Sequence, residues 1–258
     1  MNELYAESSG CGPPLLLLHG WGMNLRVFDA LRAGLAARYT VTAVDLPGHG
    51  RSPWIAGLSA HEQLAWIATR LPPHAVLVGW SLGGQLALQL AADDTLGVRH
   101  LVLMASTPRF VRAEDWPAGL PAAVLEQFAA QLERDPRRTV DDFLALQTRG
   151  SAAAAEVLAA LQHAVSEHGA AQPAALAAGL SQLQHNDLRE LARRLAVPTL
   201  VIAGQYDRIT APAAAQALTA LLPQGRLLPI RRAGHVPFAS HPHEVLAALL
   251  ALTDDVTP

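Results

Sequence analysis

Ser81 lies in the pentapeptide Gly79-Trp80-Ser81-Leu82-Gly83, directly after an apolar run that predicts a buried strand and before an apolar segment that predicts a helix. A serine with glycine two residues away on each side, at a strand-to-helix turn, is the pattern of a nucleophile elbow. The glycines leave room for a strained turn, and the helix N-terminus favours negative charge beside the hydroxyl. We therefore predict that Ser81 is a catalytic nucleophile; the alternative is a plain tight turn.

A serine hydroxyl needs a base that takes its proton, and the base needs a partner that holds its tautomer. His235 lies in the segment 232–238, between the last predicted strand and the last predicted helix, and Asp207 follows the predicted strand 199–203. In a nucleophile-elbow triad the members follow one another in the order serine, acid, histidine. Because the loops after parallel strands meet at one edge of a sheet, we predict that Ser81, Asp207 and His235 come together there.

Both partner assignments have alternatives. The other candidate histidines do not lie in a loop that follows a strand after an acidic partner; they are His19, His49, His241 and His243. Asp207 is also suited to be the N-cap of a helix that follows it. That structural role does not exclude the catalytic one.

Two backbone N–H groups are predicted to hold the oxyanion that forms when a serine attacks a carbonyl group. One belongs to Leu82, the residue after the nucleophile. The other belongs to Trp21, in the glycine-flanked loop after the predicted strand 15–18, where the backbone can approach closely. The Trp21 indole would then form a wall of an acyl pocket; a glycine turn that carries a core tryptophan is the alternative.

The composition excludes several other chemistries. All 19 basic residues are arginine. Without lysine the chain has no Schiff-base chemistry, no Walker-A phosphate site and no serine–lysine dyad, and we predict neither a cofactor nor a metal. A net charge near −3 gives no reason to expect nucleic acid or an anionic membrane as a partner.

Cysteine usage and the apolar runs bear on the cellular environment. Cys11 is the only cysteine, so no disulfide forms within the chain and a reducing compartment is expected. The first residues lack the basic start and apolar core of a signal peptide. The longer apolar runs, such as 245–252, are too short to span a bilayer. We therefore expect a cytoplasmic, monomeric protein without a membrane partner.

The 258 residues alternate short apolar runs with helical patterns, which indicates an α/β fold. Near-continuous apolar runs suit parallel strands that are covered on both faces. Strands are predicted at 15–18, 41–44, 75–78, 101–105, 199–203 and 226–230, and helices at 28–37, 61–71, 82–92 and 243–252.

A long helical stretch interrupts this alternation. From about 109 to 187 no strand is evident, and helices are predicted at 121–134, 139–148, 152–165 and 174–183. The simplest architecture is a mostly parallel, doubly wound sheet built from residues 1–108 and 189–258, with residues 109–188 inserted as a helical cap.

Together these residues resemble the α/β-hydrolase superfamily over nearly the whole chain. The motifs that carry the resemblance are His19-Gly20, Asp45-Leu-Pro-Gly-His-Gly-Arg-Ser52, the Ser81 elbow, Asp207 and Gly234-His235. The resemblance implies the α/β-hydrolase fold, with the helical insertion as its cap. Serine at the elbow, where dehalogenases and epoxide hydrolases have aspartate, implies hydrolysis of an ester, a thioester or a carbon–carbon bond.

Three segments are more specifically similar to the BioH family, the pimeloyl-[acyl-carrier protein] methyl ester esterases of biotin synthesis. They are Leu18-His-Gly-Trp-Gly-Met-Asn24, Gly79-Trp-Ser-Leu-Gly-Gly84 and Arg138-Thr-Val-Asp-Asp-Phe-Leu-Ala-Leu-Gln147. This resemblance implies an acyl channel beside Trp21, Leu82 and His235, lined by Phe143, Leu144, Ala145, Leu146 and Gln147. By periodicity alone, Phe143, Leu144 and Leu146 are equally suited to the core of the cap.

The same resemblance implies an acidic acyl carrier protein as a partner, docked through arginines of the cap. The candidates are Arg134, Arg137, Arg138 and Arg149. Residues 109–149 contain six arginines against seven acidic residues, and 150–188 add three acidic residues and no arginine. Electrostatic attraction of an acidic partner should therefore be weaker than with a strongly basic cap.

The predicted function is thus that of a serine carboxylesterase that hydrolyses the methyl ester of pimeloyl-[acyl-carrier protein]. A broad short-chain esterase or a carbon–carbon bond hydrolase would use the same triad and is the first alternative. A non-catalytic ligand-binding protein is the second, because a fold by itself does not determine function.

Overall fold

The sheet is the element that positions every candidate residue. The structure, a computed structural model, describes residues 3–151 and 153–252. In these ranges the strands are β1 (Ala6–Ser9), β2 (Pro14–Leu18), β3 (Thr40–Val44), β4 (Val76–Trp80), β5 (His100–Met104), β6 (Thr199–Gly204) and β7 (Gly225–Ile230). Their order across the sheet is β1-β3-β2-β4-β5-β6-β7, with β1 antiparallel to β3 and the other neighbours parallel. The predicted mostly parallel sheet is confirmed.

The apolar runs form strands because both faces of the sheet are covered. Leu16 and Leu18 of β2 belong to one core cluster, together with residues of the helices on that face. Leu15 and Leu17 belong to a second cluster on the opposite face. Since successive side chains of a strand point to opposite faces, a continuous run of leucine is what a doubly covered strand requires.

Helices flank the sheet on both faces and connect most of the strands. Their bounds are α1 (Asp29–Leu35), α2 (Ala60–Ala68), α3 (Leu82–Ala91), α4 (Ala122–Arg134), α5 (Pro136–Thr148), α6 (Ala154–His168), α7 (Pro173–His185), α8 (Arg189–Arg194), α9 (Pro212–Leu221), α10 (Pro237–Ser240) and α11 (Pro242–Ala251). None of the helices in the described ranges is both long enough and apolar enough to cross a membrane.

The predicted strands and helices are present, with boundaries that differ by at most three residues. One of the three-residue shifts is at the start of α5, which begins at Pro136 rather than Thr139, because Asp135 accepts a hydrogen bond from the Arg138 N–H (3.0 Å) and proline suits the first helical turn. Ala152, the predicted first residue of the next helix, lies outside the described residues.

Three elements, β1, α8 and α10, were not predicted from the sequence. β1 consists of the four residues Ala-Glu-Ser-Ser at the edge of the sheet, so it pairs on one side only and has no apolar run. α8 and α10 have six and four residues, too few for a helical period to be visible. Short or one-sided elements depend on their neighbours and leave little trace in the sequence.

The order of the strands creates a crevice at the carboxyl ends of β2 and β4. From β2 the chain continues to β3 on one side, and then returns to β4 on the other side of β2. The loops that leave these two neighbouring strands therefore diverge, which is where open α/β sheets bind ligands. They are the loop at 19–22 and the elbow at 79–83.

Between β5 and β6 the described chain contains α4 to α7, α8 and two isolated β-bridges. The division of the chain into a core and a cap at residues 109–188 stays a prediction. What the structure does show is that the junction of α6 and α7 is bound to loops of the sheet. The Asn24 amide donates to the carbonyls of Ala164 (2.8 Å) and Gly169 (3.1 Å), and the Gln172 N–H donates to Gly48 (2.8 Å).

The strongest of these ties is a buried contact between Asp45 and His168. Asp45 Oδ2 lies 2.7 Å from His168 Nε2, and the carboxyl group also accepts the backbone N–H groups of Leu25 (2.8 Å) and Arg51 (2.9 Å). All of these groups converge on a side chain that is fully buried. The Asp45 motif therefore joins the loops after β2 and β3 to the end of α6.

We predict that Asp45→Ala lowers the free energy of unfolding by about 3 kcal/mol or more, because it leaves the buried Leu25 N–H, the partly buried Arg51 N–H and a buried imidazole without their acceptor. Urea denaturation at neutral pH measures the change. Asp93→Ala is the matched control, since Asp93 is exposed and accepts only from Thr95; it should lose at most about 1 kcal/mol. Equal losses in the two variants would contradict the prediction.

Candidate active site

Ser81 occupies a strained turn between β4 and α3. Its backbone has φ 56° and ψ −117°, a conformation that non-glycine residues rarely adopt. A Cβ at Gly79 would overlap the Gly83 carbonyl, and one at Gly83 would overlap the carbonyl of Leu18 at the end of β2. Both glycines of the elbow are thus required by close backbone contacts, as predicted.

Two further contacts hold the strained residue. The Ser81 N–H donates to the Met104 carbonyl (3.0 Å), and the Ser106 hydroxyl donates to the Ser81 carbonyl (2.8 Å). Gly84 allows Ser106 to approach, because a Cβ there would crowd the Ser106 side chain. Ser106 was not predicted from the sequence. The second glycine of the Leu-Gly-Gly sequence could have indicated that another residue packs closely against the start of α3.

Asp207 and His235 are joined by a hydrogen bond of 2.8 Å between Asp207 Oδ2 and His235 Nδ1. Both side chains are buried. Since a carboxylate can only accept, Nδ1 carries the proton and Nε2 presents its lone pair. The contact therefore produces the tautomer that a general base needs.

The loops of Asp207 and His235 are held together by backbone hydrogen bonds. The Tyr206 N–H donates to the Ala233 carbonyl (2.8 Å), and the Trp80 indole N–H donates to the His235 carbonyl (2.8 Å). The His235 N–H donates to the carbonyl of Gln147, at the end of α5 (3.2 Å). The residue before Ser81 thus positions the histidine, and Trp80 and His235 are also in ring contact at 5.8 Å between centroids.

Thr210 completes the surroundings of Asp207 and was missed in the sequence. Its hydroxyl donates to Asp207 Oδ2 (2.6 Å), while Asp207 Oδ1 accepts the N–H groups of Ile209 (2.8 Å) and Thr210 (2.9 Å). The alternative role of Asp207 as a helix N-cap is wrong, because α9 begins at Pro212 and its N-cap is Ala211. The pattern that could have predicted it is a hydroxyl residue three positions after an aspartate in a loop, because such residues often hydrogen-bond to the aspartate.

Neither Ser81 Oγ nor His235 Nε2 has a hydrogen-bond partner among the described residues, although both atoms are buried. The structure therefore joins Asp207 and His235 directly, and it links Ser81 to His235 through Trp80, whose indole donates to the His235 carbonyl. Catalytic hydrogen bonds are often long in an unliganded site and shorten when substrate binds.

The two predicted oxyanion donors belong to segments that lie next to Ser81. Leu82 is the first residue of α3, and the loop of Trp21 reaches the serine through Gly20, where a Cβ would lie 3.3 Å from the Ser81 Cβ. In the part of the chain that is described, the N–H groups of Trp21 and Leu82 donate to no acceptor. The Trp21 indole donates to the Leu176 carbonyl (2.8 Å) and is buried.

The rival histidines have other partners. His19 is fully buried, with Nδ1 2.9 Å from the Gly20 carbonyl and Nε2 accepting the Leu46 N–H (3.0 Å). His49 Nδ1 contacts the Pro47 carbonyl (3.0 Å), and its ring lies 5.2 Å from that of His19. His241 contacts the Ser240 hydroxyl, and His243 is exposed. His19 and His49 thus connect the loops after β2 and β3.

The predicted channel residues of α5 differ in their placement. Phe143 packs edge-on against Trp21, with 5.1 Å between ring centroids, and Leu144 and Gln147 are buried. Leu146 is half-buried, whereas Ala145 is exposed. α5 thus turns one face toward the Trp21 loop.

A cavity of about 770 Å³ lies between α5, α6 and the start of α7. Its apolar lining includes Val140, Leu144 and Leu176. The side chains of Val140 and Leu176 each lie 3.6 Å from the position that a Cβ of Gly22, next to Trp21, would take. Its polar lining includes Arg137, Asp141 and His163. The volume is in the range typical of pockets for small organic ligands.

The structure separates the four candidate carrier-docking arginines into two places. Arg134 ends α4, and Arg137 and Arg138 lie in the first turn of α5, whereas Arg149 follows its last turn. Eleven residues of α-helix place Arg138 and Arg149 about 16 Å apart. Arg138 also faces Asp142 at 3.8 Å, an exposed ion pair that offsets part of its charge.

Within residues 3–151 and 153–252, no group of three or more histidine, cysteine, aspartate or glutamate side chains is arranged to hold a metal ion.

We predict that acid destabilises the fold through His49. Burial lowers the pKa of His49 from 6.5 to about 4, with the Pro47 contact opposing the shift. The unfolded chain therefore binds the proton first, and the stability that neutral His49 contributes is present above pH 6.5 and is lost between pH 6.5 and 4. The cost is about 3 kcal/mol. Urea denaturation measures how far the unfolding free energy drops from pH 7 to pH 4. The drop in His49→Phe should be smaller than the wild-type drop by about 3 kcal/mol. Equal drops in the two proteins would contradict the prediction.

Comparison with known proteins identifies the family. Residues 13–242 match the family model of the alpha/beta hydrolase fold. The proteins of Stenotrophomonas maltophilia K279a and Nitrosomonas europaea named pimeloyl-[acyl-carrier protein] methyl ester esterase are 43% and 41% identical to this chain; the alignments cover 99% and 98% of this chain and 98% and 100% of the two relatives.

Solved structures agree with this assignment. The esterase of Exiguobacterium antarcticum superposes with a TM-score of 0.87 at 20% identity, covering 97% of this chain and 95% of that chain, and shows the shared fold. The esterase of Thermogutta terrifontis superposes with a TM-score of 0.81 at 26% identity, covering 99% and 94%. The chain therefore belongs to the α/β-hydrolase fold family and, within it, to the family of the proteins named pimeloyl-[acyl-carrier protein] methyl ester esterase.

Proposed function

We propose that this protein is a serine carboxylesterase that hydrolyses the methyl ester of pimeloyl-[acyl-carrier protein] in biotin synthesis. The observation that carries the proposal is the 41–44% identity, over nearly the full length of both chains, to proteins that bear this name. The buried Asp207–His235 hydrogen bond supports the chemistry, because it supplies an oriented base that is linked through Trp80 to the strained turn of Ser81.

In the proposed acylation, Ser81 Oγ attacks the ester carbonyl carbon while His235 Nε2 takes the hydroxyl proton. The N–H groups of Trp21 and Leu82 donate to the oxyanion as it forms. The imidazolium then protonates the methoxy oxygen, the carbon–oxygen bond to that group breaks, and methanol leaves. The product is an ester between the acyl group and Ser81.

Asp207 has two tasks in this mechanism. It holds His235 in the tautomer with the proton on Nδ1, and its negative charge stabilises the imidazolium that forms during each step. The hydrogen bonds from Ile209, Thr210 and the Thr210 hydroxyl restrain the carboxylate in the orientation that meets the ring. Thr210 is therefore a positioning residue in this proposal.

We assign the acyl chain to the Trp21 side of the site. The edge-on contact of Phe143 with Trp21 and the apolar cavity wall formed by Val140, Leu144 and Leu176 support this path. The chain would then leave the site through the cavity between α5 and α6, within the helical cap of residues 109–188. Arg137 at the cavity, with Arg134 and Arg138 beside it, is the proposed centre of the contact with the carrier protein, and Arg149 lies about 16 Å further along α5.

A broad short-chain esterase is the second candidate. The charge around the proposed carrier contact favours it, because Glu133, Asp135, Asp141 and Asp142 surround the three arginines in the sequence and Arg138 already faces Asp142. A site with little net positive charge attracts an acidic carrier weakly. Substrate selectivity separates the two candidates.

We expect Ser81→Ala to lower kcat for a short p-nitrophenyl ester by about 10⁴-fold or more while the fold survives, because the nucleophile is removed and the glycines of the turn remain. The same variant should fail to complement a biotin auxotroph that lacks this esterase. Ser181→Ala, on the exposed face of α7, is the matched control and should behave as wild type. Wild-type-like hydrolysis by Ser81→Ala would contradict the assignment of Ser81 as the nucleophile.

We expect Arg137→Glu combined with Arg138→Glu to raise KM for the carrier-borne methyl ester about fivefold to tenfold, with little change for p-nitrophenyl acetate, because its short, uncharged acyl group does not reach these charges. Arg226→Glu, an exposed charge on β7, is the control. In the wild type, a kcat/KM for the carrier-borne ester that exceeds the value for small free esters by less than about tenfold, roughly 1.4 kcal/mol, would favour the broad esterase instead.

A further inference from the structure

Gln147 carries a buried amide that the protein leaves without a partner. Its side chain is only 1% exposed, and neither Nε2 nor Oε1 has a hydrogen-bond partner among the described residues. A buried polar group in that condition costs about 1–3 kcal/mol, so it calls for a functional explanation. We propose that the Gln147 amide binds and orients the water that hydrolyses the acyl-enzyme; this inference rests on the proposed function.

The helical period places the Gln147 side chain on the face of α5 that covers the site. Residues three, four and seven positions apart share one face of a helix. Val140 on this face lies 3.6 Å from the position that a Cβ of Gly22 would take, and Phe143 packs on Trp21. Gln147, one turn further, continues the same stripe. The two apolar residues of the stripe meet the Trp21 loop, and its one polar residue comes at the opposite end.

That end of α5 lies against the histidine. The Gln147 carbonyl accepts the His235 N–H (3.2 Å), and Gly234 lies so close that a Cβ there would be 3.1 Å from the Gln147 carbonyl oxygen. His235 Nε2 also has no partner among the described residues. The same short stretch therefore contains the base that must activate a water and an amide that can both donate to the water and accept from it.

The deacylation step gives these two groups complementary tasks. Water attacks the carbonyl carbon of the Ser81 ester while one of its protons passes to His235 Nε2. The water is oriented by the Gln147 amide: its second hydrogen atom is donated to Gln147 Oε1, or its oxygen accepts a hydrogen bond from Gln147 Nε2. The bond between the carbon and Ser81 Oγ then breaks, and His235 returns the proton to Oγ. The products are the free carboxylic acid and the original serine. The amide aims the water and does not exchange a proton itself.

The position also explains why the role belongs to the water and not to the acyl chain. In acylation the group on the histidine side is methoxy, which leaves as methanol, and the attacking water takes its place afterwards. The acyl chain runs toward Trp21 and Phe143, where the lining is apolar. An amide that can both donate and accept suits water better than methoxy, which has no hydrogen to donate.

The test uses p-nitrophenyl butyrate, which needs no carrier protein. For an activated ester, kcat/KM depends only on the steps up to acylation, whereas kcat also contains deacylation. Gln147→Met keeps the length of the side chain and removes the amide. We expect kcat and KM to fall together by about tenfold with kcat/KM within twofold of wild type, a burst of p-nitrophenol, and acylated Ser81 detectable by mass spectrometry of the intact protein.

Thr148→Val is the matched control, because Thr148 is the next residue of α5, is buried, and uses its hydroxyl only within the helix, toward Ala145 (3.2 Å). It should leave both constants within twofold of wild type. Unchanged kcat in Gln147→Met, or kcat/KM that falls in parallel with kcat, would overturn the proposal. Neither result touches the proposed function, which stands or falls with labelling and loss of activity at Ser81.

Discussion

The rest of the structure depends on the backbone contact at the elbow, where Gly79, Gly83 and the end of β2 meet without room for a Cβ. This contact holds Ser81 at positive φ and places its hydroxyl at the crevice between β2 and β4. The strain of order 1–3 kcal/mol must be offset by surrounding interactions. Hydrogen bonds to Met104 and from Ser106 supply part of that restraint.

Around this fixed point most buried polar groups have hydrogen-bond partners, and the exceptions among the described residues lie both at the site and elsewhere, at Arg32, His49, Arg70 and His168. Asp207 receives hydrogen bonds from two backbone N–H groups, a hydroxyl and an imidazole, and Asp45 receives a comparable set in the neighbouring loop. Ser81 Oγ, His235 Nε2 and the Gln147 amide are left unpartnered. Groups that the protein satisfies are held still, and groups that it leaves unsatisfied are available to a substrate or a water.

α5 connects substrate choice with chemistry, because one helix face meets both ends of the site. Its middle packs on Trp21 through Phe143, and its end accepts the N–H of His235 through Gln147. A displacement of α5 therefore changes the acyl path and the position of the base together. The contacts of Asn24, Asp45 and Gln172 at the junction of α6 and α7 limit such displacement from the other side of the cavity.

The sequence by itself determined the nucleophile candidate, the order of its partners and the parallel sheet, because these depend on local patterns such as glycine spacing and apolar runs. It did not predict β1, Thr210, Ser106 or the contact of Asp45 with His168. Each of these takes its role from a contact with another residue and not from a local sequence pattern. Tertiary structure alone decided which polar atoms are buried without partners, because burial and hydrogen bonding arise only when distant segments pack.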